Sequence, residues 1–459
     1  MGSTVAAGPA TQPSQQDILR KIDALQAEVE QLKIQAQSQK EREQRQETLQ
    51  TSAALQDEAE AAIPFSLQLE GFTAGYSDGK FLIQSADKRY VLHPWIQLQV
   101  RNVTTYRQDA LGSAGKNDDI ENGWEIRRLK FGFDGNVINP DLTYWLQLAA
   151  DNKTGAFVLE QAWGKYRLAP TAFFLRAGQF KAPLDHEQLL TSRYLTAAGR
   201  MLTDDLFANS EDFVKGASAG FDNNGPLRAE LAYTGGDRNT NTSFQPFPTN
   251  NANWGVAGRG EWKLSGDWSD YDRSTGAYNA AHNYLALGAG ADFTQAGDTA
   301  TLVHVIDADF GTRQGFGLYG AYLGRYFQNA AIGSVGNSGA TRGNVPASTG
   351  YDWTLRGQIS YAINSHWEPY AQYEYIRLDP INLPAGVRND LHAIRAGVNY
   401  YLFNTEARVT LDITYLPNGT PVSDEGAGLL ATGSSTRTAG ITRGGGNELV
   451  FRAQLQLAL

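Results

Sequence analysis

The sequence predicts an all-β protein, namely a 16-stranded antiparallel transmembrane β-barrel preceded by an α-helical coiled-coil segment. Among its 459 residues are 48 Gly, 21 Tyr, 20 Phe and 9 Trp, a composition typical of large β proteins. Beyond Pro64, apolar and polar residues alternate with period two. Before it, residues 17–62 contain no Gly, Pro or aromatic residue, which indicates a helix.

Composition also excludes several classes of protein. No stretch of 18 consecutive apolar residues is present, so no membrane-spanning helix is expected. The absence of Cys excludes disulfides and thiolate metal sites, and the net charge of −10 argues against a nucleic-acid partner. No nucleophile–base pair or phosphate loop is recognisable, so we expect no enzyme activity, cofactor or metal. Asp307 and Asp309 could hold a divalent ion, although an inward polar stripe explains them better. The six histidines are scattered without metal-ligand spacing: His93, His186, His282, His304, His366 and His392.

The N-terminal region divides into two parts. Residues 1–16 are small and polar, lack the features of a secretory signal, and are expected to be disordered. Residues 17–63 form a predicted helix whose apolar side chains alternate at spacings of four and three, which is a heptad pattern. A seam this narrow buries little in a monomer, so the helix is expected to trimerise with copies of itself. The alternative is a single amphipathic helix lying on the main domain. The seam consists of Ile18, Ile22, Leu25, Val29 and Leu32.

The region after Pro64 is predicted to contain a linker with a short β-hairpin (64–89) and then the barrel (90–459). The end of the chain shows the alternation well, because Phe451, Leu455 and Leu457 share one face while Arg452 and Gln454 share the other. Sixteen segments have this character: 90–107, 121–136, 141–152, 155–168, 172–180, 214–222, 226–234, 253–265, 281–292, 298–312, 315–327, 350–363, 367–378, 390–402, 405–416 and 446–458.

The connections between these segments mostly alternate between short and long, as an outer-membrane barrel requires. Three depart from the pattern: 266–280 is long where a short turn is expected, while 153–154 and 293–297 are short where a loop is expected. The last strand ends in alternating apolar residues and can pair with the first, leaving no open edge. A soluble β-sandwich or a propeller is the alternative.

Aromatic residues recur near the predicted strand ends, where the two interfaces of a membrane would lie. This pattern favours a membrane barrel over a soluble one, with the apolar faces on lipid and the polar faces around water. The residues expected in these belts are Trp95, Tyr106, Trp124, Trp163, Tyr166, Trp367, Tyr400 and Tyr401.

Several motifs resemble the phosphate-selective porin O and P family. They are WEIRRLKFGFDG (124–135), LTYWLQL (142–148) and, most specifically, LRAGQFKAPL (175–184), which resembles the family's G-Q-F-K-x-P junction between a strand and a loop. LTSRYL (190–195) lies where the family has a Ser-rich segment. The resemblance implies a homotrimeric outer-membrane channel of sixteen strands with loops folded inward. The coiled coil is an addition to the best-known members.

Solute selection would then depend on charged side chains at the narrowest part of the lumen. Segment 181–213 mixes apolar, aromatic and charged residues and could fold inward. Arginines on inward positions would favour oxyanions such as phosphate. The alternative is that acids such as Asp185, Glu187 and Asp204 neutralise them. The candidate cations are Arg101, Arg128, Lys130, Arg176, Lys181, Arg193, Arg200, Arg356, Arg395, Arg408 and Arg452.

The sequence thus predicts an outer-membrane porin for passive diffusion of small hydrophilic solutes and ions, with anions favoured. Its expected partners are two further copies of the chain, outer-membrane lipid and the permeating solutes. An even-stranded barrel places both termini in the periplasm, so the helix should lie there and could contact peptidoglycan. The alternative is a structural envelope protein whose coiled coil links the outer membrane to the cell wall, with the barrel as a mount.

Overall fold

The computed structural model describes residues 71–77, 80–107, 120–150, 154–207, 213–236, 252–273, 275–297, 299–330, 348–380, 389–417 and 447–458. All of them belong to one compact unit, Leu69–Leu459. The predicted disordered start, the coiled coil and its seam lie outside the described residues.

Sixteen antiparallel strands close into a barrel, as the sequence predicts. A hairpin precedes it, formed by β1 (Phe72–Ser77) and β2 (Lys80–Ser85), and β2 pairs briefly with the first barrel strand. The barrel strands are β3 (Val91–Arg107), β4 (Ile120–Asn136), β5 (Leu142–Ala150), β6 (Phe157–Arg167), β7 (Phe173–Lys181), β8 (Phe213–Asp222), β9 (Leu227–Thr234), β10 (Trp254–Ser265), β11 (Tyr284–Ala296), β12 (Thr299–Gly311), β13 (Phe316–Ala330), β14 (Ser348–Tyr361), β15 (Trp367–Arg377), β16 (Asp390–Phe403), β17 (Ala407–Leu416) and β18 (Glu448–Ala458).

Closure occurs between β18 and β3, where Gln454 pairs with Arg101 and Leu455 with Val100. No predicted strand boundary is more than four residues from the observed one, and the largest shift is at β11. That strand starts later than predicted because the residues before it belong to an inward-folded connection. It also runs on to Ala296, because Asp292 and Thr294 continue the inward polar stripe.

The two faces of the barrel are inverted relative to a soluble protein. On β18, Phe451, Leu455 and Leu457 are exposed, whereas Arg452 and Gln454 are buried. Polar residues therefore point into the barrel and apolar residues point out. A soluble sandwich would bury these leucines between stacked sheets, so the sandwich alternative is wrong.

Three of the predicted belt aromatics are placed differently from the expectation. Trp124 and Trp367 are exposed on the outer face, but Tyr401 is buried and Trp95 and Trp163 point inward. Trp95 and Trp163 occupy alternate positions that share a face with inward polar residues. Nearness to a strand end therefore predicts the height of an aromatic side chain along the barrel axis. Whether the side chain points inward or outward depends instead on its place in the alternation of the strand.

Connections at one end of the barrel, here called the turn end, are short with one exception; the other end is the loop end. The connection between β7 and β8, here called the inner loop (residues 182–212), carries α1 (His186–Leu189), a 3₁₀ turn (Ser192–Tyr194) and α2 (Leu202–Phe207). The long turn-end connection between β10 and β11, here called the cross-segment (residues 266–283), carries α3 (Trp268–Tyr271).

Within the described ranges, no helix has both the length and the apolar character needed to cross a membrane.

Candidate pore and its lining

The described part of the inner loop lies inside the barrel. Its apolar residues Leu184, Met201, Leu202 and Phe207 are almost completely buried. They pack on inward apolar residues of the wall, including Leu323. This apolar contact explains why a segment mixing leucines with charges folds inward, since it would otherwise expose those side chains to water.

Arginines of the wall hold the backbone of the inner loop. Arg101 donates to the carbonyl of Ala198, Arg408 to that of Leu195, and Arg395 to that of Gly199 at 3.0 Å. A chain segment without regular secondary structure has carbonyl groups that need donors, and guanidinium groups carry several donors each. These three predicted pore cations therefore hold the inner loop against the wall.

Arg356 is neutralised by three carboxylates of the inner loop. It pairs with Asp185, with Glu187 at 3.0 Å and with Asp204 at 2.6 Å. Burial would raise the pKa of the Asp185 carboxyl, but the charge and hydrogen bond of Arg356 lower it below its ordinary value. Burial raises the pKa of Glu187 and, more strongly, that of Asp204 despite the same arginine. Arg356 is thus an anchor of the inner loop.

Two further predicted cations are also paired with acids. Arg176 pairs with Glu230 and lies 4.0 Å from the centroid of the Phe180 ring. Arg452 pairs with Asp412 at 2.6 Å, and both side chains are fully buried. The six predicted arginines away from the remaining space are thus all bonded to carbonyls or carboxylates. Lys181 and Arg200 also donate to carbonyls of the inner loop, those of Gln188 and Leu190, but they line the remaining space as well.

A cavity of about 370 Å³ remains between the inner loop and the wall formed by β3–β6. Five of the eleven predicted cations line it: Arg128, Lys130, Lys181, Arg193 and Arg200. Lys80 and Arg127 line it as well, so that seven cationic side chains face three carboxylates, which belong to Asp134, Glu160 and Asp204. Lys130 and Glu160 form an ion pair across the cavity wall.

Two β-bulges aim charged residues into this cavity. On β4, Gln99 of β3 pairs with Arg128 and Val100 pairs with Ile126, which leaves Arg127 as the extra residue. On β6, the register skips Glu160 in the same way. A bulge lets adjacent residues face the same side, so Arg127 and Arg128 both line the cavity.

Strict alternation misses Arg127, because it assigns that residue to the outer face. A signal for it was nevertheless present in the sequence. Two consecutive arginines in a strand of otherwise regular alternation would place one guanidinium against lipid, which is costly near the middle of a membrane. A bulge that turns both arginines inward avoids that cost.

Two inward tryptophans complete the lining. The rings of Trp95 and Trp145 lie 5.4 Å apart on the cavity wall, and Trp145 stacks on Trp163 at 6.3 Å. Gly132 lies beneath Trp95, where an added Cβ would be 2.6 Å from the indole ring. The glycine therefore allows the ring to lie flat against the wall.

Potential metal ligands have other partners. Among the described residues, Asp267, Asp270 and His282 bring three candidate ligand atoms within 4.8 Å of one another. Asp270, however, accepts hydrogen bonds from the backbone of His282 and its neighbour, and thereby fastens the cross-segment. Asp307 pairs with Arg259 at 2.7 Å and Asp309 with His186 at 3.4 Å. Both aspartates point inward, which fits the prediction that they belong to an inward polar stripe.

Comparison with solved structures shows a porin-like fold. The chain is similar to the anion-selective porin from Comamonas acidovorans, with a TM-score of 0.54 and 13% identity over 80% of this chain and 99% of that one. It is also similar to Salmonella typhi OmpF, solved in complex with daunomycin, with a TM-score of 0.52 and 14% identity over 84% of this chain and all of that one. No family model matches the chain, and no curated protein sequence matches it.

Proposed function

We propose that this protein is an outer-membrane porin for passive diffusion of small hydrophilic solutes, with anions such as phosphate favoured. The observation that carries the proposal is the cavity beside the inner loop, where seven cationic side chains face three carboxylates. The anion-selective porin from Comamonas acidovorans has the same fold, and the resemblance to the phosphate-selective porin O and P family points the same way.

Confinement makes this excess of positive charge effective. In a narrow passage with walls of low polarisability, fields are focused and local charges decide which ions enter. Arg127 and Arg128 present planar guanidinium groups, which match the oxygens of phosphate and carboxylate. Anions would therefore be attracted to the β3–β6 wall.

Placement in the outer membrane follows from the apolar outer face and the closed barrel. Both ends of the barrel sequence, Val91 and Ala458, lie at the turn end, which we assign to the periplasm. The predicted coiled coil would then lie in the periplasm and hold three chains together. An outward polar pair, Asn102 and Asn122, bonded to each other at 3.1 Å, fits a protein contact better than lipid.

A structural envelope protein is the second candidate. The observation that favours it is the extent to which the inner loop and the cross-segment fill the barrel. In that case the coiled coil would bind the cell wall and the barrel would serve as a mount. Such a barrel would conduct little or nothing.

Planar-bilayer recording tests the proposal. The wild-type trimer should give conductance steps whose reversal potential in asymmetric KCl shows anion preference. Arg127→Gln and Arg128→Gln should each lower the anion-to-cation permeability ratio, and the double variant should roughly halve it.

Arg313→Gln is the matched control, because it removes one positive charge from an exposed turn. It should leave the reversal potential unchanged. An unchanged reversal potential in the double variant would remove the cavity from the selectivity mechanism. A silent but correctly folded wild type would favour the structural envelope protein.

A further inference from the structure

The cross-segment runs across the turn end of the barrel. On one side, the indole of Trp268 donates to the carbonyl of Gly225 at 2.8 Å, in the turn between β8 and β9. On the other side, Asn279 donates to Asn404 at 3.2 Å, in the turn between β16 and β17. Eight strands separate these two turns in a closed ring of sixteen, so the two attachments lie opposite each other.

The first half of the cross-segment is firmly attached to the wall. The guanidinium of Arg228 donates two hydrogen bonds to Asp272, at 2.8 and 2.5 Å. The hydroxyl of Tyr271 donates to Glu261 at 2.9 Å, and Tyr271 is 1% exposed. The Arg228–Asp272 pair is exposed and the Tyr271–Glu261 bond is buried, but all three hydrogen bonds involve a charged group, and such bonds are stronger than neutral ones.

The second half of the cross-segment is attached to the wall as closely as the first half. Tyr278 stacks on Tyr401 with ring centroids 3.5 Å apart. The backbone of Gly276 and Ala277 lies against β13, where a Cβ on Gly317 would be only 2.8 Å from each of them. Glycine at 317 thus permits a contact that any side chain would prevent, which indicates a packed position in the lumen.

The cross-segment also meets the inner loop. The side-chain amide of Gln358 donates to the hydroxyl of Thr196 in the inner loop at 3.1 Å and to the carbonyl of Thr275 in the cross-segment at 2.8 Å. The two segments therefore fill one side of the lumen together. The cavity of about 370 Å³ lies on the other side, against β3–β6.

We propose that the cross-segment is a second, fixed constriction of the pore at its turn end. It blocks the β9–β16 side of the mouth and confines solutes to the β3–β6 side, past Arg127 and Arg128. Small inorganic or organic anions would pass along this wall, whereas larger neutral solutes would be excluded at both levels. This inference rests on the proposed porin function.

Replacement of residues 267–283 by Asn-Gly tests it. Gly266 and Tyr284 border the register in which Ser265 pairs with Leu285, and Asn-Gly forms the tight turn that joins two antiparallel strands. Single-channel conductance of the full-length trimer should rise about twofold, because the open cross-section widens. The anion preference should fall, and swelling of liposomes should show uptake of larger neutral sugars.

The matched control replaces Arg313 and Gln314 by Asn-Gly in the neighbouring turn, which changes a turn without removing anything from the lumen. Its conductance should equal that of the wild type. A second variant, Gly317→Leu, displaces the cross-segment without shortening the chain and should raise conductance or its fluctuation. Wild-type conductance in both folded test variants, the 267–283 replacement and Gly317→Leu, would overturn the inference. A silent wild type would instead refute the proposed function, whatever the variants do.

Discussion

At the scale of single residues, the charge of the cavity depends on one extra position in β4. Arg127 is the extra residue of a β-bulge, between the pairs Arg128–Gln99 and Ile126–Val100, and its presence turns two consecutive guanidinium groups toward the same space. The residues on either side of it, Ile126 and Arg128, keep regular pairing with Val100 and Gln99. Arg127 is therefore an insertion into an otherwise regular ladder.

Deletion of Arg127 should consequently be tolerated. With it removed, Ile126 still faces outward and Arg128 still faces inward, so the alternation becomes regular. We expect a folded barrel with wild-type resistance to heat in detergent and a lowered anion preference, equal to that of Arg127→Gln. Electrophoretic mobility after heating and reversal potentials are the measurements.

Deletion of Leu411 is the control for this prediction. It lies in β17, which pairs regularly with both neighbouring strands at this position and has no extra residue to compensate, so its loss would move the following side chains to the opposite face. That variant should fail to fold. If deletion of Arg127 also prevented folding, the bulge would be needed for the barrel itself, and its role would not be limited to the cavity.

At the scale of elements, the strands follow from alternation but the inward segments do not. Period two is imposed locally, because each strand separates the apolar outer face from the polar lumen at every residue, and it locates the strands to within four residues. The inner loop and the cross-segment have no such period. Their positions depend on distant partners such as Arg356 and Gln358, which only the closed barrel brings close.

The dependence on distant partners also explains why the sequence predicts only part of the candidate site. Strand parity places Arg101, Arg128 and Arg356 correctly on the inner side. It cannot tell a cation that only binds the inner loop from one that also lines the cavity, as Lys181 does, because both kinds occupy inward positions. The three-dimensional path of the inner loop makes that distinction.

The anchoring of the inner loop by Arg356 gives a prediction at this scale. Arg356→Met leaves Asp185, Glu187 and Asp204 buried without their shared partner, and breaking a buried pair typically costs about 3–5 kcal/mol. The cost is relieved if the inner loop detaches from the wall. We expect noisier and larger conductance, together with protease cleavage within residues 182–207 of the folded barrel.

Arg452→Met is the matched control, because it breaks a buried pair between two strands, with Asp412 of β17. It should lower thermal stability without exposing the inner loop to protease. Equal cleavage in both variants would show that the inner loop responds to loss of barrel stability in general, and that Arg356 is no specific anchor.

At the scale of the whole molecule, the heptads of residues 17–63 and the barrel are predicted to contribute separately to assembly. A seam of Ile18, Ile22, Leu25, Val29 and Leu32 would bury its apolar side chains only between chains. The barrel has a continuous wall and its own inward packing, so the pore does not depend on the helix. Loss of the helix should therefore weaken the trimer and leave the pore intact.

Deletion of residues 1–63 tests this separation. The trimer should dissociate at a lower temperature in detergent, because interchain apolar burial is lost, while each barrel keeps the wild-type unit conductance and reversal potential. The control Ile22→Leu keeps an apolar side chain in the seam, whereas Ile22→Asp should reproduce the effect of the deletion. Unchanged dissociation in both the deletion and Ile22→Asp would assign the helix to another task, and contact with the cell wall would then become the better explanation of this segment.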